Sequence, residues 1–164
     1  MERREHGFTL AELATALAVL AVILLLGLPA FSALLRSMRT DTAFHAVTTS
    51  LASARLTAIS RQVAVTVCPS LDGRGCRKDL TWDEGWIVFP DPARTGRPAS
   101  EDVVLHRVAP NLDGIAMHGT AGRQYVRYLP NGFSSGSNLT LYLCSRESGL
   151  ELGEVKVNNG GRVR

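Results

Sequence analysis

The stretch Gly7-Phe8-Thr9-Leu10-Ala11-Glu12-Leu13 opens an uncharged, largely apolar run that covers residues 13–35. A helix of 23 residues spans about 34 Å at 1.5 Å per residue. The hydrocarbon core of a bilayer is roughly 30 Å thick, so this helix is long enough to cross it. The sequence therefore predicts a membrane-length helix over 8–35, with one carboxylate, Glu12, at the edge of its apolar run.

Two ordinary kinds of N-terminal segment compete for this stretch. A secretory signal peptide would be cleaved at small residues such as Ala30 or Ala33, but its apolar region is usually only about 7–15 residues long. A plain membrane anchor fits the length, with Arg3 and Arg4 keeping the N-terminus in the cytoplasm. Neither explains Glu12, because a carboxylate costs about 2.5–3.5 kcal/mol at mid-bilayer, less near the interface, and usually has a functional partner.

Residues 7–12 resemble the processing site of type IV prepilins. The resemblance implies that prepilin peptidase cuts after Gly7, that Phe8 is then N-methylated, and that Glu12, at the fifth mature position, is used in assembly. Pro29 falls at mature position twenty-two, where pilins often carry a helix-kinking proline. Cleavage would leave a positive amine on Phe8, which could meet Glu12 of a neighbouring subunit and so avoid an isolated charge.

The remaining chain reads as a second half of the helix followed by strands. Apolar residues recur between 36 and 61 at steps of three and four, the period of an amphipathic helix; they are Phe44, Val47, Leu51, Ala54 and Ala58. Beyond Gln62, seven short β-type runs alternate with turn signals. Because the connections are short, the strands should pair antiparallel. The predicted fold class is α+β, a long N-terminal helix packed on an antiparallel sheet of about seven strands.

These features divide the chain into five predicted segments. They are a leader (1–7), a transmembrane and assembly half of the helix (8–35), an amphipathic half (36–61), a β domain (62–157) and a flexible basic tail (158–164).

The soluble part resembles the GspH/FimT family of minor pilins and pseudopilins over nearly its whole length. The motifs that carry the resemblance are Val65-Thr66-Val67-Cys68-Pro69-Ser70, Gly85-Trp86-Ile87-Val88-Phe89, Tyr128-Leu129-Pro130-Asn131-Gly132, Leu141-Tyr142-Leu143-Cys144 and the ending Gly161-Arg162-Val163-Arg164. The resemblance implies a type IV pilin-like fold.

The three cysteines allow at most one intramolecular pair. Cys68 and Cys76 flank an Asp-Gly turn, and in a periplasmic domain we expect them to be oxidised. In the chain-entropy model, a disulfide that closes so short a loop raises the free energy of unfolding by roughly 2–3 kcal/mol. Pairing of Cys68 with Cys144, or three free thiols, remain the alternatives, and the Cys68–Cys76 pair is favoured.

Known catalytic and metal-binding patterns do not occur. The cysteines lack zinc-ligand spacing and the histidines fall singly. The acidic residues miss the calcium-loop pattern, and neither a Gly-x-Ser-x-Gly nucleophile elbow nor a Gly-rich phosphate loop with Lys is present. We therefore expect a protein that is not an enzyme and that has no metal and no cofactor.

The ending Gly161-Arg162-Val163-Arg164 is the most informative charged segment of a chain whose net charge is +3. In an extended chain, Arg162 and Arg164 face the same way about 6.6–6.8 Å apart, which suits two phosphates of a nucleic-acid strand. A frayed, soluble tail is the alternative. FimT-type minor pilins of naturally transformable bacteria carry a Gly-Arg-x-Arg ending implicated in DNA binding, so the resemblance implies such a site here. Three other basic residues are candidates for the same patch: Lys156, Arg123 and Arg127.

The sequence thus favours a type IV minor pilin of the FimT kind. It would be a single-pass inner-membrane protein with a periplasmic C-terminal domain. It would then join other major and minor pilins in a surface fibre and bind double-stranded DNA non-specifically for uptake in natural transformation. The principal alternative is a GspH-like pseudopilin of type II secretion, a structural, protein-binding subunit without DNA contact. A third is a pilus-assembly component that helps to prime the fibre.

Overall fold

The computed structural model describes residues 9–110, 112–134 and 136–164, with only the backbone described at positions 29 and 30. One helix, α1 (Leu10–Arg61), precedes all the described strands. The strands are β1 (Val65–Pro69), β2 (Trp86–Pro90), β3 (His106–Val108), β4 (Ile115–Gly119), β5 (Val126–Tyr128), β6 (Leu139–Ser145) and β7 (Glu151–Val157), with a 3-10 turn (Glu101–Val103) before β3. The processing residues Gly7 and Phe8 lie outside the described residues.

The strands form two antiparallel sheets. Sheet A has the order β3-β2-β1-β5, and sheet B has the order β4-β6-β7. In sheet A, Val67 of β1 lies opposite Val88 of β2, and in sheet B Leu141 of β6 lies opposite Val155 of β7. Among the described residues, one long helix packed on seven antiparallel strands confirms the predicted α+β, type IV pilin-like fold.

The second half of α1 supplies one wall of the core. Val47, Leu51, Ala54 and Ala58 are fully buried, as the three-and-four-residue spacing predicts. The buried stripe begins at Ala43, and the predicted first member, Phe44, is only partly buried against the core. Fully burying an aliphatic side chain contributes about 1.5–3 kcal/mol. The stripe therefore fixes this half of α1 to the strands. The largest buried side chains of the same core are Trp82, Trp86, Tyr128, Leu141 and Leu143.

The chain divides into two compact units, Met1–Met38 and Arg39–Arg164. In the first unit, the apolar side chains described between 10 and 35 are exposed, Leu25 to 75% and Leu26 to 71%. By length and composition, α1 is the one helix among the described residues that qualifies as a membrane span. An exposed apolar surface of this extent is what a bilayer or neighbouring apolar helices would cover.

Residues 158–164 differ from the flexible tail that the sequence predicts. They turn back and lie antiparallel to the end of β7, with Val163 bridging Val157. The turn closes through a bond from the Gly161 N–H to the Asn158 carbonyl (2.8 Å). The boundary predicted at 157/158 therefore falls inside a hairpin, whose turn (158–161) contains the two glycines that suggested flexibility.

Candidate functional site

The C-terminal segment and the end of β7 form a regular hairpin, called here the C-terminal hairpin (155–164). Lys156 donates its N–H to the carbonyl of Arg164 (2.8 Å), and Arg164 donates back to Lys156 (2.9 Å). One step further along, Asn158 donates to the carbonyl of Arg162 (3.1 Å). These bonds fix the register, so that Lys156 lies directly opposite Arg164 and Asn158 directly opposite Arg162.

This register separates apolar from basic side chains. In an antiparallel pair, opposite residues point to the same side and successive residues alternate. Val157 is buried and Val163 packs against the core, while Lys156, Arg162 and Arg164 are exposed. The sequence predicted that the two arginines share a face. The structure adds Lys156 to that face, where it lies across the strand from Arg164.

The turn of the hairpin requires glycine at position 161. Gly161 has φ +73°, a left-handed conformation that side-chain-bearing residues rarely adopt. A Cβ at this position would lie 2.1 Å from the carbonyl oxygen of Gly132. Gly161 is thus needed for the close approach of the turn to the 131–134 loop, and this explains why a glycine precedes Arg162.

The same loop holds the other side of the turn. The hydroxyl of Ser134 donates to the carbonyl of Asn158 (2.6 Å), and the Ser134 N–H donates to the carbonyl of Asn159 (3.0 Å). Ser134 itself is buried. The hairpin turn is therefore fastened to the body of the domain by two hydrogen bonds from a buried residue.

Arg55 of α1 is a residue of this site that sequence reasoning missed. Its Nε donates to the carbonyl of Gly132 (3.0 Å) and its Nη2 to the carbonyl of Gly160 (3.2 Å). The signal in the sequence is its position, four residues after Leu51 and three before Ala58, which places a cation at the border of the buried stripe. Burial raises the pKa of the nearby Tyr128 phenol, and the charge of Arg55 opposes that rise.

Lys156, on the same exposed face as Arg162 and Arg164, has an acidic neighbour. Its Nζ forms an ion pair with the carboxylate of Glu154. The hydrogen bond to Glu154, followed by its charge, outweighs desolvation and raises the pKa of Lys156 above 10.5. Lys156 therefore stays charged in the physiological range, but Glu154 offsets that charge locally.

The other two basic candidates are engaged elsewhere. Arg127 binds the buried Asp91 through Nη2 (2.9 Å) and Nε (3.1 Å), and its guanidinium lies 4.8 Å from the ring centre of Tyr125. Arg123 donates to the carbonyl of Gly136. Neither side chain makes a hydrogen bond or ion pair with the described residues of the C-terminal hairpin.

At the other end of the described chain, Glu12 caps its own helix. The Thr9 N–H and hydroxyl each donate to Glu12 Oε2 (2.9 Å), and the Glu12 N–H donates to Thr9 Oγ1 (3.2 Å). This reciprocal pair is a capping box, which satisfies backbone donors at a helix N-terminus. Glu12 is exposed, so its carboxylate is open to a second subunit while it caps the first turn.

The disulfide joins Cys68 to Cys76, with an S–S distance of 1.98 Å and Cα atoms 5.5 Å apart. This is the pairing that the spacing favoured. Cys144 is a free, half-buried thiol on β6, so the alternative Cys68–Cys144 pair is not the one formed. Within the described residues, no cluster of three or more His, Cys, Asp or Glu side chains is placed to hold a metal ion.

Comparison with known families agrees with this geometry. The family model described as "Type II transport protein GspH" matches residues 43–161, and the model of the prokaryotic N-terminal methylation motif matches residues 3–28. The first match covers most of the chain, and the chain therefore belongs to the GspH family of type IV minor pilins and pseudopilins. No curated protein sequence gives a significant match.

Two solved structures share the fold. Both are crystal structures of the type IV minor pilin FimU of Pseudomonas aeruginosa PAO1, in space groups P21 and P65. The first has a TM-score of 0.59 at 16% identity and covers 76% of this chain and 85% of that chain. The second has a TM-score of 0.57 at 16% identity and covers 76% and 90%. At this identity the likeness concerns the fold. Membership of the pilin family implies interaction with other pilins and, through the methylation motif, with prepilin peptidase.

Proposed function

We propose that this chain is a type IV minor pilin that binds double-stranded DNA without sequence preference, for uptake in natural transformation. The single observation that carries the proposal is the ordered C-terminal hairpin, which exposes Arg162 and Arg164 beside Lys156 on one face. Arginine binds phosphate through a planar fork of donors. Two such forks fixed on one strand form a small phosphate-binding surface.

The side chains of this face are suited to contact with the phosphates of the DNA backbone more than to recognition of the bases. Sequence is read when side chains enter a groove and pair with base edges, whereas phosphate contacts position a protein without reading sequence. A hairpin with three cations offers few contacts, so a single subunit should bind in the non-specific range of about 10⁻⁴–10⁻⁶ M. Several copies along a fibre would raise this by avidity where the geometry allows simultaneous contact.

The N-terminal segment supports the rest of the proposal. Prepilin peptidase would remove the leader at Gly7 and leave Phe8 as the N-methylated first residue. Residues 8–35 would hold the subunit in the inner membrane before assembly into a fibre at the cell surface. The Cys68–Cys76 disulfide supports a periplasmic location for the soluble domain, because disulfides persist in oxidising compartments.

A GspH-like pseudopilin of type II secretion remains the second candidate. The observation that favours it is the match of residues 43–161 to the family model of a type II transport protein. In that function the C-terminal hairpin would bind protein or nothing, and its arginines would be dispensable for DNA contact.

Fluorescence anisotropy of labelled duplex DNA, titrated with the full-length chain in non-ionic detergent micelles, tests the proposal. We expect equal affinity for duplexes of unrelated sequence, and a loss of at least about fivefold in Arg162→Gln with Arg164→Gln. The matched control is Arg94→Gln with Arg97→Gln, two exposed loop arginines whose removal changes the net charge equally. Equal losses in the two double variants would show a mere net-charge effect, and no loss in either would favour the pseudopilin.

A further inference from the structure

We propose that Arg55 is a positioning residue for the arginine pair of the C-terminal hairpin. Its guanidinium fastens α1 to the 131–134 loop and to the 158–161 turn at once, and so holds Arg162 and Arg164 in their exposed arrangement. The effect on DNA rests on the proposed function, whereas the effect on the order of the hairpin does not.

The geometry is a three-way junction. Arg55 binds the carbonyl of Gly132 on one side and the carbonyl of Gly160 on the other. The Gly132 carbonyl is also the atom against which Gly161 packs so closely that a Cβ would lie 2.1 Å from it. Arg55 therefore binds one partner of this close approach directly, at Gly132, and holds the other through Gly160, the residue before Gly161.

The fork of arginine is what this junction needs. Two donors of one rigid, planar group bind two carbonyls that belong to different segments of the chain, 77 and 105 residues away in sequence. A lysine is a single compact charge on a flexible stem, so it would carry the charge without spanning both carbonyls in fixed geometry. Arg55→Lys should therefore keep the positive charge at this position and lose the fixed contact with both carbonyls.

Holding the hairpin in place should improve binding by pre-organisation. Side chains that are already placed lose less freedom when a partner binds than side chains on a mobile tail. Releasing Arg162 and Arg164 should therefore weaken binding about three- to tenfold without removing a phosphate contact. The salt dependence, which counts the phosphates neutralised, should stay the same.

The first test compares DNA affinity of Arg55→Gln and Arg55→Lys with that of the wild type, on full-length protein in detergent micelles. We expect the DNA affinity of both variants to fall three- to tenfold, while the slope of log affinity against log salt concentration stays unchanged. Arg107→Gln is the matched control, since Arg107 also binds two carbonyls, those of Gly73 (3.0 Å) and Glu101 (2.6 Å), on the edge strand β3 of sheet A. The Arg107→Gln variant should lose less than twofold in DNA affinity.

A double-variant cycle makes the test specific. In the Arg162→Gln, Arg164→Gln background, Arg55→Gln should cause no further loss of affinity, because no arginine pair remains to be positioned. Full rescue by Arg55→Lys would show that charge alone matters. A log–log salt slope flatter by about 0.9 in Arg55→Gln would show that Arg55 itself contacts a phosphate. Unchanged affinity in Arg55→Gln would show a structural role only. Each of these three results overturns the proposal.

Hydrogen exchange tests the junction even if the wild type binds no DNA. The amides of Asn158, Gly161 and Arg164 donate within the hairpin and should exchange at least about tenfold faster in Arg55→Gln, while the amides of β1 keep their wild-type rates. Unchanged exchange at all three would refute the positioning role. Faster exchange together with absent DNA binding in the wild type would refute the proposed function and leave the junction standing.

Discussion

Lys156 and Arg164 lie directly opposite each other and exchange backbone hydrogen bonds of 2.8 and 2.9 Å. This pairing converts a predicted loose tail into a short segment bonded antiparallel to β7, at the edge of sheet B. It places one lysine and two arginines on a single exposed face and directs Val157 and Val163 to the core. The same backbone pairing of Lys156 with Arg164 therefore holds the C-terminal segment in place and keeps its basic side chains exposed.

Removing the acidic neighbour of this face should strengthen DNA binding. Glu154 pairs with Lys156, so Glu154→Gln frees the lysine for a phosphate. We expect an affinity about two- to fivefold higher at low salt and a log–log salt slope steeper by about 0.9. The matched control is Glu147→Gln, with the same charge change before β7. Unchanged affinity and slope in Glu154→Gln would show that the lysine faces away from the DNA.

The disulfide should carry a measurable part of the stability. Cys68→Ser with Cys76→Ser opens a loop of eight residues and should lower the free energy of unfolding by about 2–3 kcal/mol. Urea unfolding followed by tryptophan fluorescence measures this, because Trp82 and Trp86 are both buried in the core. Cys144→Ser, which replaces the free thiol, should lower the free energy of unfolding by less than about 1 kcal/mol. Non-reducing peptide mapping that finds Cys144 bonded to Cys68 would contradict the assignment.

Asp91 should make the domain sensitive to acid. Burial raises its pKa, but hydrogen bonds from Gly96, Thr66 and Thr95, with the charge of Arg127, outweigh it, so the pKa of Asp91 is lowered below 3.8. A lowered pKa contributes stability that is complete above the unfolded pKa and is lost as the pH falls through the folded pKa.

Asp91→Asn should therefore destabilise the protein by about 3–5 kcal/mol at pH 7, since it leaves Arg127 without its buried partner. The difference from wild type should shrink as the pH falls from 4 towards 2. Urea unfolding at several pH values measures both effects. The exposed Asp113→Asn serves as the control. A difference that stays constant with pH would show that the carboxylate charge is not what stabilises this loop.

Gly7 and Glu12 should act at different steps. Gly7→Arg should block cleavage and leave the precursor in the membrane, whereas Glu12→Ala should be cleaved and assemble poorly, because it loses both the capping bond to Thr9 and the carboxylate offered to a neighbour's amine. Mass spectrometry of the N-terminus and immunoblots of sheared fibres distinguish the two steps. Normal fibre incorporation of uncleaved Gly7→Arg protein would refute the prepilin interpretation.

Much of the fold could be predicted because it rests on local patterns. The apolar run predicts the first half of α1, and the spacing of Val47, Leu51, Ala54 and Ala58 predicts its second half and its buried face. Alternating β-type residues between turn signals predict seven strands. The division into two sheets did not follow from these patterns, because strand order depends on packing between segments distant in sequence.

The candidate site was only partly predictable for the same reason. The sequence indicates that Arg162 and Arg164 share a face, since that follows from strand geometry alone. It did not reveal that Gly160 and Gly161 form a fixed turn, because their order depends on Gly132, Ser134 and Arg55. Nor could it show that Arg127 is bound by Asp91, a contact 36 residues apart in sequence.

The salt dependence of DNA affinity decides whether the C-terminal hairpin is a DNA-binding site. The full-length chain in detergent micelles should bind duplex DNA with a log–log slope of about −1.8, because two arginines neutralise two phosphates while Glu154 holds Lys156. Arg162→Gln with Arg164→Gln should flatten the slope by about 1.8 and weaken binding to all sequences alike, while Arg94→Gln with Arg97→Gln leaves the slope in place. If the Arg162, Arg164 double variant instead keeps the wild-type affinity and slope at moderate salt, the C-terminal hairpin is not a DNA-binding site and the pseudopilin function is favoured.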